Sequence, residues 1–429
     1  MYRKKGKISA GTIVMMILMA AVLASAAYVL ARLGSGASVD LSRLRPGTVD
    51  IATKEQAGSE TAMKTETREN PTEATAVPAA AEIAIPTEQP GKSLTLTIGG
   101  TVALAGEVRS NSYYSDVKQY DFYDIMTLLR SEFKADLNVV FLENILSTDQ
   151  KATDVIAAGA AASMMKAAGI DAAACGFSKA FAKEEAGVQS TRKLLNEYGI
   201  RPLGIYENES DSFRVIEMNG VKICLLQYTD TIPADTRKAM NRKGQTGLVP
   251  PADADRIAAD IEAARKQGCD TVIVLLHWGS VGKAPTKAQR TLARQIADAG
   301  ADLIAGCGSK IVTGPEMLTA EENGKQVLCA WSLGTVLSGD RSNIRRIAGM
   351  LLHITVYTEN GKTEIRDLSY TPLYTWKYKM DGRYYYRCLA ADGTIPDGMD
   401  SDQQKSMKKA ADTVREAMKN SGVEERGVE

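Results

Sequence analysis

The chain has 429 residues, with 52 Lys and Arg against 52 Asp and Glu and only two histidines, His277 and His353. Zero formal net charge and 6% aromatic residues leave neither a basic excess to neutralise a phosphate backbone nor an aromatic track for unstacked bases, so nucleic acid is excluded as an expected partner. The length exceeds what one core usually organises and predicts either one large domain with appendages or two domains.

Arg3, Lys4, Lys5 and Lys7 precede an uncharged run from Ile8 to Ala31. A run of about 24 residues, rising about 1.5 Å each, is long enough to cross a hydrocarbon core of about 30 Å. Residues 1–7 are therefore expected to be a cytoplasmic basic stub and 8–33 a transmembrane helix. The competing interpretation is a cleaved signal peptide, for which Ala24-Ser25-Ala26 supplies a small-residue site, although such a peptide has a shorter apolar region. The positive-inside bias then predicts a single-pass protein of the cell membrane with its C-terminal domain extracytoplasmic. Residues 34–92 are rich in Thr, Glu, Ala and Pro, without apolar period, and read as a disordered linker.

Order is expected from Ser93, where Leu94, Leu96 and Ile98 alternate with Thr95 and Thr97 before Gly99-Gly100. Helical and strand patterns then alternate. A helix over Phe122 to Phe133 precedes a strand over Leu137 to Leu142, and a helix over Ala157 to Ala168 precedes Ile170 to Ala173. Further helices are expected over Gln189 to Tyr198, Asp253 to Lys266 and Gln289 to Ala299. They lead into strands at Arg201 to Tyr206, Thr271 to Leu276 and Ala301 to Ala305. Hairpins are expected to turn at Asn219-Gly220 and Asn360-Gly361. This alternation predicts an α/β layered fold. Beyond it, the Tyr-rich stretch Tyr370 to Cys388 is expected to cover a sheet edge. Asp402 to Lys419 reads as a helix with an apolar face of Met407, Ala410, Ala411, Val414 and Met418, and the tail after Ser421 is expected to fray. The six cysteines are scattered singly in apolar runs, as buried hydrophobes are, and predict no disulfide framework.

The segment Val274 to Gly306 contains Leu276-His277-Trp278-Gly279, Gln289 and Asp298-Ala299-Gly300-Ala301-Asp302-Leu303-Ile304-Ala305-Gly306. It resembles the capsule-synthesis CapA family of bacterial poly-γ-glutamate synthesis, within the calcineurin-like metallophosphoesterase superfamily. Leu142-Glu143, Gly187 with Thr191, Gly220-Val221-Lys222-Ile223 and Ser332-Leu333-Gly334 follow the same order, so the resemblance spans about Ser93 to Leu373. It implies a calcineurin-like four-layer sandwich of mixed sheets flanked by helices. The corresponding domains are 93–375 for the CapA-like domain and 376–429 for the aromatic segment with the C-terminal helix.

The family pattern also implies Asp, Asn and His ligands on loops at strand ends, holding two divalent cations. This chain departs from that pattern. Gly100 stands where Asp is expected after the first strand, and Phe141 where Asn begins the Asn-Leu-Glu pattern. Phe177-Ser178-Lys179 and Ala182 replace an Asn-Asn-His segment and its following Asp. Gly306-Cys307-Gly308-Ser309-Lys310 replaces Gly-His-His-Pro-His, Val281 replaces a Glu, and Thr335 an Asn. Glu143 and His277 alone remain, so no metal or other cofactor is expected. A mononuclear site of Glu143, His277 and Cys307 is the alternative.

Two functional expectations follow. The first is a non-catalytic accessory or binding module in envelope or capsule polymer synthesis. Its pocket candidates are Ser178, Lys179, Trp278, Ser309 and Lys310, with the lysines acting as point charges for an anionic polymer or the polymer-synthesis machinery. The second is a hydrolase or transferase using Glu143 and His277. Each candidate has a plainer role open to it. His277 can simply brace a loop, Glu143 can cap or form a salt bridge, the lysines can be solvated, and His353 lies in an alternating strand as a structural or solvent-facing residue. No nucleophile elbow or P-loop is present.

Overall fold

The computed structural model describes residues 91–427, apart from 150 and 209, all within one unit, Ala84–Glu429. The expected basic stub, transmembrane helix and nearly all of the expected linker lie outside the described residues. Among the described residues no helix is long and apolar enough to cross a membrane.

The alternating Leu/Thr segment forms β1 (Lys92–Val102). It pairs in parallel with β2 (Leu137–Leu142), which is followed in parallel by β3 (Ala172–Ala174) and β4 (Arg201–Leu203). A second sheet takes β5 (Phe213–Met218), β6 (Val221–Thr229), β7 (Thr271–His277), β8 (Leu303–Cys307), β9 (Glu316–Thr319) and β10 (Gln326–Ala330) in the order β9-β10-β8-β7-β6-β5. Within it β6, β7, β8 and β10 run parallel, and β5 and β9 are antiparallel edges. The chain then returns to the first sheet. There β11 (Thr335–Leu337) pairs with the end of β1, and β12 (Ala348–Glu359), β13 (Lys362–Met380) and β14 (Arg383–Ala390) continue antiparallel from its other side.

The two sheets pack face to face. Leu94, Leu96 and Ile98 meet Ile223, Leu225, Ile273 and Leu275 in a shared core. Outside the first sheet, α1 (Ala160–Ala168) and α2 (Glu184–Glu197) bury Met164, Met165 and Leu195 in the same cluster as Val140 and Ala173. Outside the second, α3 (Ala254–Lys266) and α4 (Lys287–Asp298) bury Ile257, Ile261, Ala293 and Ile296 with Val272, Val274 and Leu276. The expected four-layer arrangement of mixed sheets flanked by helices is therefore present. Both faces of β7 are covered, which is why its sequence is apolar without alternation.

Several expectations are corrected. Phe122 to Phe133 is not an α-helix but a 3-10 segment, Tyr123–Leu129. Ala157 belongs to a short strand, Ile156–Ala158, and the helix begins only at Ala160. The helix expected from Gln289 starts at Lys287, because Thr286 and Gln289 form a reciprocal capping box that satisfies orphan donors at its N-terminus. The Tyr-rich segment does not cover the sheet edge but forms it, since β13 runs to Met380 and turns through Asp381-Gly382 into the outermost strand β14. The tail does not fray after Ser421. Glu424–Glu425 pairs in parallel with Ser369 and Tyr370, and Arg415 holds Glu425 with two bonds of 2.7 Å. Before it, α5 (Ser401–Met418) buries all five apolar positions expected from its spacing.

Candidate functional site

Parallel strands end on one edge, and in an α/β sheet that edge is where loops converge to form sites. Here β1, β2, β7 and β8 all end at a common crevice between the two sheets. Thr101 of β1 hydrogen-bonds Cys307 at the end of β8. Glu143, the residue after β2, reaches His277, the last residue of β7.

Glu143 is the hub. Its Oε1 accepts from Thr101 Oγ1 at 3.0 Å and from His277 Nε2 at 3.3 Å, and its Oε2 pairs with Lys310 Nζ at 2.9 Å. A carboxylate only accepts, so His277 donates through Nε2. The other ring nitrogen, Nδ1, lies 2.9 Å from Thr231 Oγ1, and Phe177 meets the ring edge-on. Burial pushes the Glu143 carboxyl up, but the His277 hydrogen bond and the charges of His277 and Lys310 outweigh it, so the group is held down at about 2 and stays ionised. The Glu143 and His277 side chains are only 10% and 6% exposed.

These residues do not fit a pair of metal ions. Both carboxylate oxygens and both imidazole nitrogens already have protein partners, and Glu143 Oε2 is taken by the Lys310 ammonium. The Cys307 thiol, which would complete a mononuclear set, is buried and engaged with the Thr101 hydroxyl. Among the described residues no group of three or more His, Cys, Asp or Glu is placed to hold a metal. Gly100 adds a steric reason, since a Cβ there would stand 2.4 Å from the Gly334 carbonyl oxygen.

Of the expected pocket residues, the structure brings Lys310 to Glu143, and Lys310 adopts a left-handed backbone with φ 58°. Ser309 is buried and donates to the Ile311 carbonyl. Trp278 is 1% exposed, stacked on Trp331 and bonded to its carbonyl, so it packs in the core and lines no pocket. Ser178 is partly buried and Lys179 exposed. The charge of Lys179 acts on Asp154, and no contact joins it to Lys310.

Beside the Glu143–Lys310 pair opens a cleft of ≈ 530 Å³ whose wall includes Lys310, Arg341 and Lys377 with Glu107 and Asp340. Lys377 pairs with Glu107, which also accepts from Tyr386 at 2.6 Å. Asp340 is held by Ser342. Arg341 is fixed by the Thr375 carbonyl and the Tyr374 hydroxyl, which leaves its charge without a carboxylate partner among the described residues. Sequence reasoning missed Arg341 and Lys377. Arg341 lies seven residues beyond Gly334 with nothing local to mark it, and Lys377 is hidden among tyrosines.

Residues 95–340 match the family described as bacterial capsule synthesis protein PGA_cap. The chain belongs to that family. Among curated relatives, the capsule biosynthesis protein CapA of Bacillus anthracis is 28% identical over 151 residues, 34% of this chain and 35% of that protein. The PGA biosynthesis protein CapA of Bacillus subtilis is 36% identical over 127 residues, 28% of this chain and 32% of that protein. The matches thus span about a third of each relative's length. Among solved structures, a hypothetical protein from Thermus thermophilus is similar with TM-score 0.37 and 13% identity, over 68% of this chain and 100% of that one. The calcineurin-like phosphoesterase YfkN from Bacillus subtilis is similar with TM-score 0.40 and 13% identity, over 76% of this chain and 99% of that one.

Proposed function

We propose that this PGA_cap-family protein acts in capsule or envelope polymer synthesis as a non-catalytic binding module, anchored by the apolar run Ile8 to Ala31 with its calcineurin-like domain outside the membrane. The observation that carries this reading is the Lys310–Glu143–His277 network, in which both oxygens of the surviving acid are taken by internal partners, one of them a lysine ammonium. The adjoining cleft has three cations against two carboxylates on its wall, and suits an anionic segment of a polymer. The names of the two CapA relatives support the pathway, and the basic stub before the apolar run supports the orientation.

Metal analysis of the purified protein, with phosphoesterase assays in added Mn, Fe or Zn, tests the reading. The expected result is substoichiometric metal and no metal-dependent turnover. Tightly bound stoichiometric metal, or turnover lost in Glu143→Gln and His277→Gln, would instead establish a hydrolase or transferase. For the cleft, Arg341→Glu together with Lys310→Gln should weaken binding of a polycarboxylate and flatten its salt dependence. Unchanged binding would remove the cleft from the proposal.

A further inference from the structure

His353 lies beside the middle of β1, and its surroundings form a second site. In the antiparallel ladder it faces Thr97. Its Nδ1 lies 3.0 Å from Thr97 Oγ1 and its Nε2 lies 2.9 Å from Thr371 Oγ1. Arg426 Nη1, on the docked tail, is 3.4 Å from Nδ1. A guanidinium only donates, so Nδ1 accepts, and Nε2 carries the proton given to Thr371. Burial, and then the charge of Arg426, push the ring down to about 4, which keeps it neutral near pH 7.

This imidazole is 7% exposed and floors a pocket of ≈ 280 Å³ whose wall also carries Lys134, Arg426, Asp367, Thr355 and Ser369. Among the described residues, Lys134, Arg426 and Asp367 make no ion pair, although two cations face one carboxylate. The tail is held in place by other contacts: Arg426 N donates to the Tyr370 carbonyl, and Glu425 is gripped by Arg415. Arg426 thus lines the pocket with no ion pair to a carboxylate among the described residues. An arginine fixed in this way has spare N–H groups in a planar fork, the arrangement that recognises oxyanions. Thr97 precedes Thr101 by four residues, about 13 Å along the strand, so the pocket is separate from the Lys310 crevice.

We propose that this pocket is a ligand site for a single oxyanion group, phosphate or carboxylate, held by Arg426 and Lys134 over the His353 ring. It goes beyond the function proposed above and does not depend on it.

The test exploits the presence of only two histidines, whose ring resonances report the two sites separately. Inorganic phosphate and acetate are titrated in separate arms into the full-length protein at pH 7.5 and low ionic strength, with chloride as control. The expected result is a saturable shift of the His353 resonances with phosphate or acetate, the saturating arm naming the source, while His277 stays still. The shift should need about tenfold more ligand in Lys134→Gln/Arg426→Gln and be unchanged in Lys310→Gln. Both substituted side chains are exposed, so the fold should survive. No saturable shift in either arm, an equal shift with chloride, an unaltered double variant, or loss in Lys310→Gln would overturn the proposal. Failure here leaves the Lys310 cleft untouched, because that reading rests on polycarboxylate binding and metal content.

Discussion

Lys310 Nζ lies 2.9 Å from Glu143 Oε2, joining the loop after β8 to the end of β2 across the two sheets. A carboxylate that is 10% exposed is tolerable only because the ammonium ion, His277 and Thr101 surround it.

Removing one partner of that pair should therefore cost more than removing both. Lys310→Met is expected to destabilise the domain by about 1–3 kcal/mol, less than for a fully buried pair because the lysine is partly solvated. Glu143→Gln should cost a similar amount, and the double variant clearly less than the sum. Urea unfolding of the four proteins checks this. Strict additivity would mean that the pair is not coupled.

Gly100 cannot be turned back into a ligand by substitution. A Cβ there meets the Gly334 carbonyl oxygen at 2.4 Å and its carbon at 2.8 Å, both backbone atoms that cannot swing aside. Gly100→Asp is expected to destabilise by about 3 kcal/mol or more and to recruit no metal. Thermal unfolding with and without Mn checks this, and a stable variant with a metal-dependent rise in Tm would contradict it.

Acid should weaken the fold in two windows. His353 has a folded value of about 4 against about 6.5 unfolded. Between these the unfolded chain binds the extra proton, so stability falls as pH drops from about 6.5 to about 4, by on the order of 3 kcal/mol. Glu143, at about 2 against about 4.5 unfolded, contributes stability that is complete above about 4.5 and is lost toward about 2. In His353→Gln the slope between pH 6.5 and 4 should flatten. Denaturant midpoints across pH measure it, and an unchanged slope would count against the neutral buried ring.

Gln227 is fully buried and stitches the sheets together. Its Oε1 accepts from Gly176 N at 2.8 Å, and its Nε2 donates to Gly176 O at 2.9 Å. Gln227→Leu keeps similar bulk but strands a buried N–H and C=O, at an expected cost of about 2–4 kcal/mol. Equilibrium unfolding checks the value, and a neutral outcome would require the loop after β3 to find new partners.

Local chemistry made much of this fold legible. Alternating Leu and Thr gave β1, the Asn-Gly pairs gave the hairpin turns, and three-to-four spacing gave the buried face of α5. The limits were also local. Tyr370 to Cys388 looked like an appendage because strand aromatics carry no sign of which sheet they extend. The Phe122 segment has helical spacing but too short a run to fix its type. At the site, the sequence by itself determined which ligand types were missing and that Glu143, His277 and Lys310 remained at strand ends. Their union was a matter of tertiary structure, because residues 143, 277 and 310 meet only when two mixed sheets stack with the C-terminal ends of their parallel strands aligned. The same stacking sends Trp278 into the core and separates Lys179 from Lys310. It also turns His353, which the sequence could only place on a strand, into the floor of a cationic pocket, since Arg426 arrives there only through the pairing of the tail with β13.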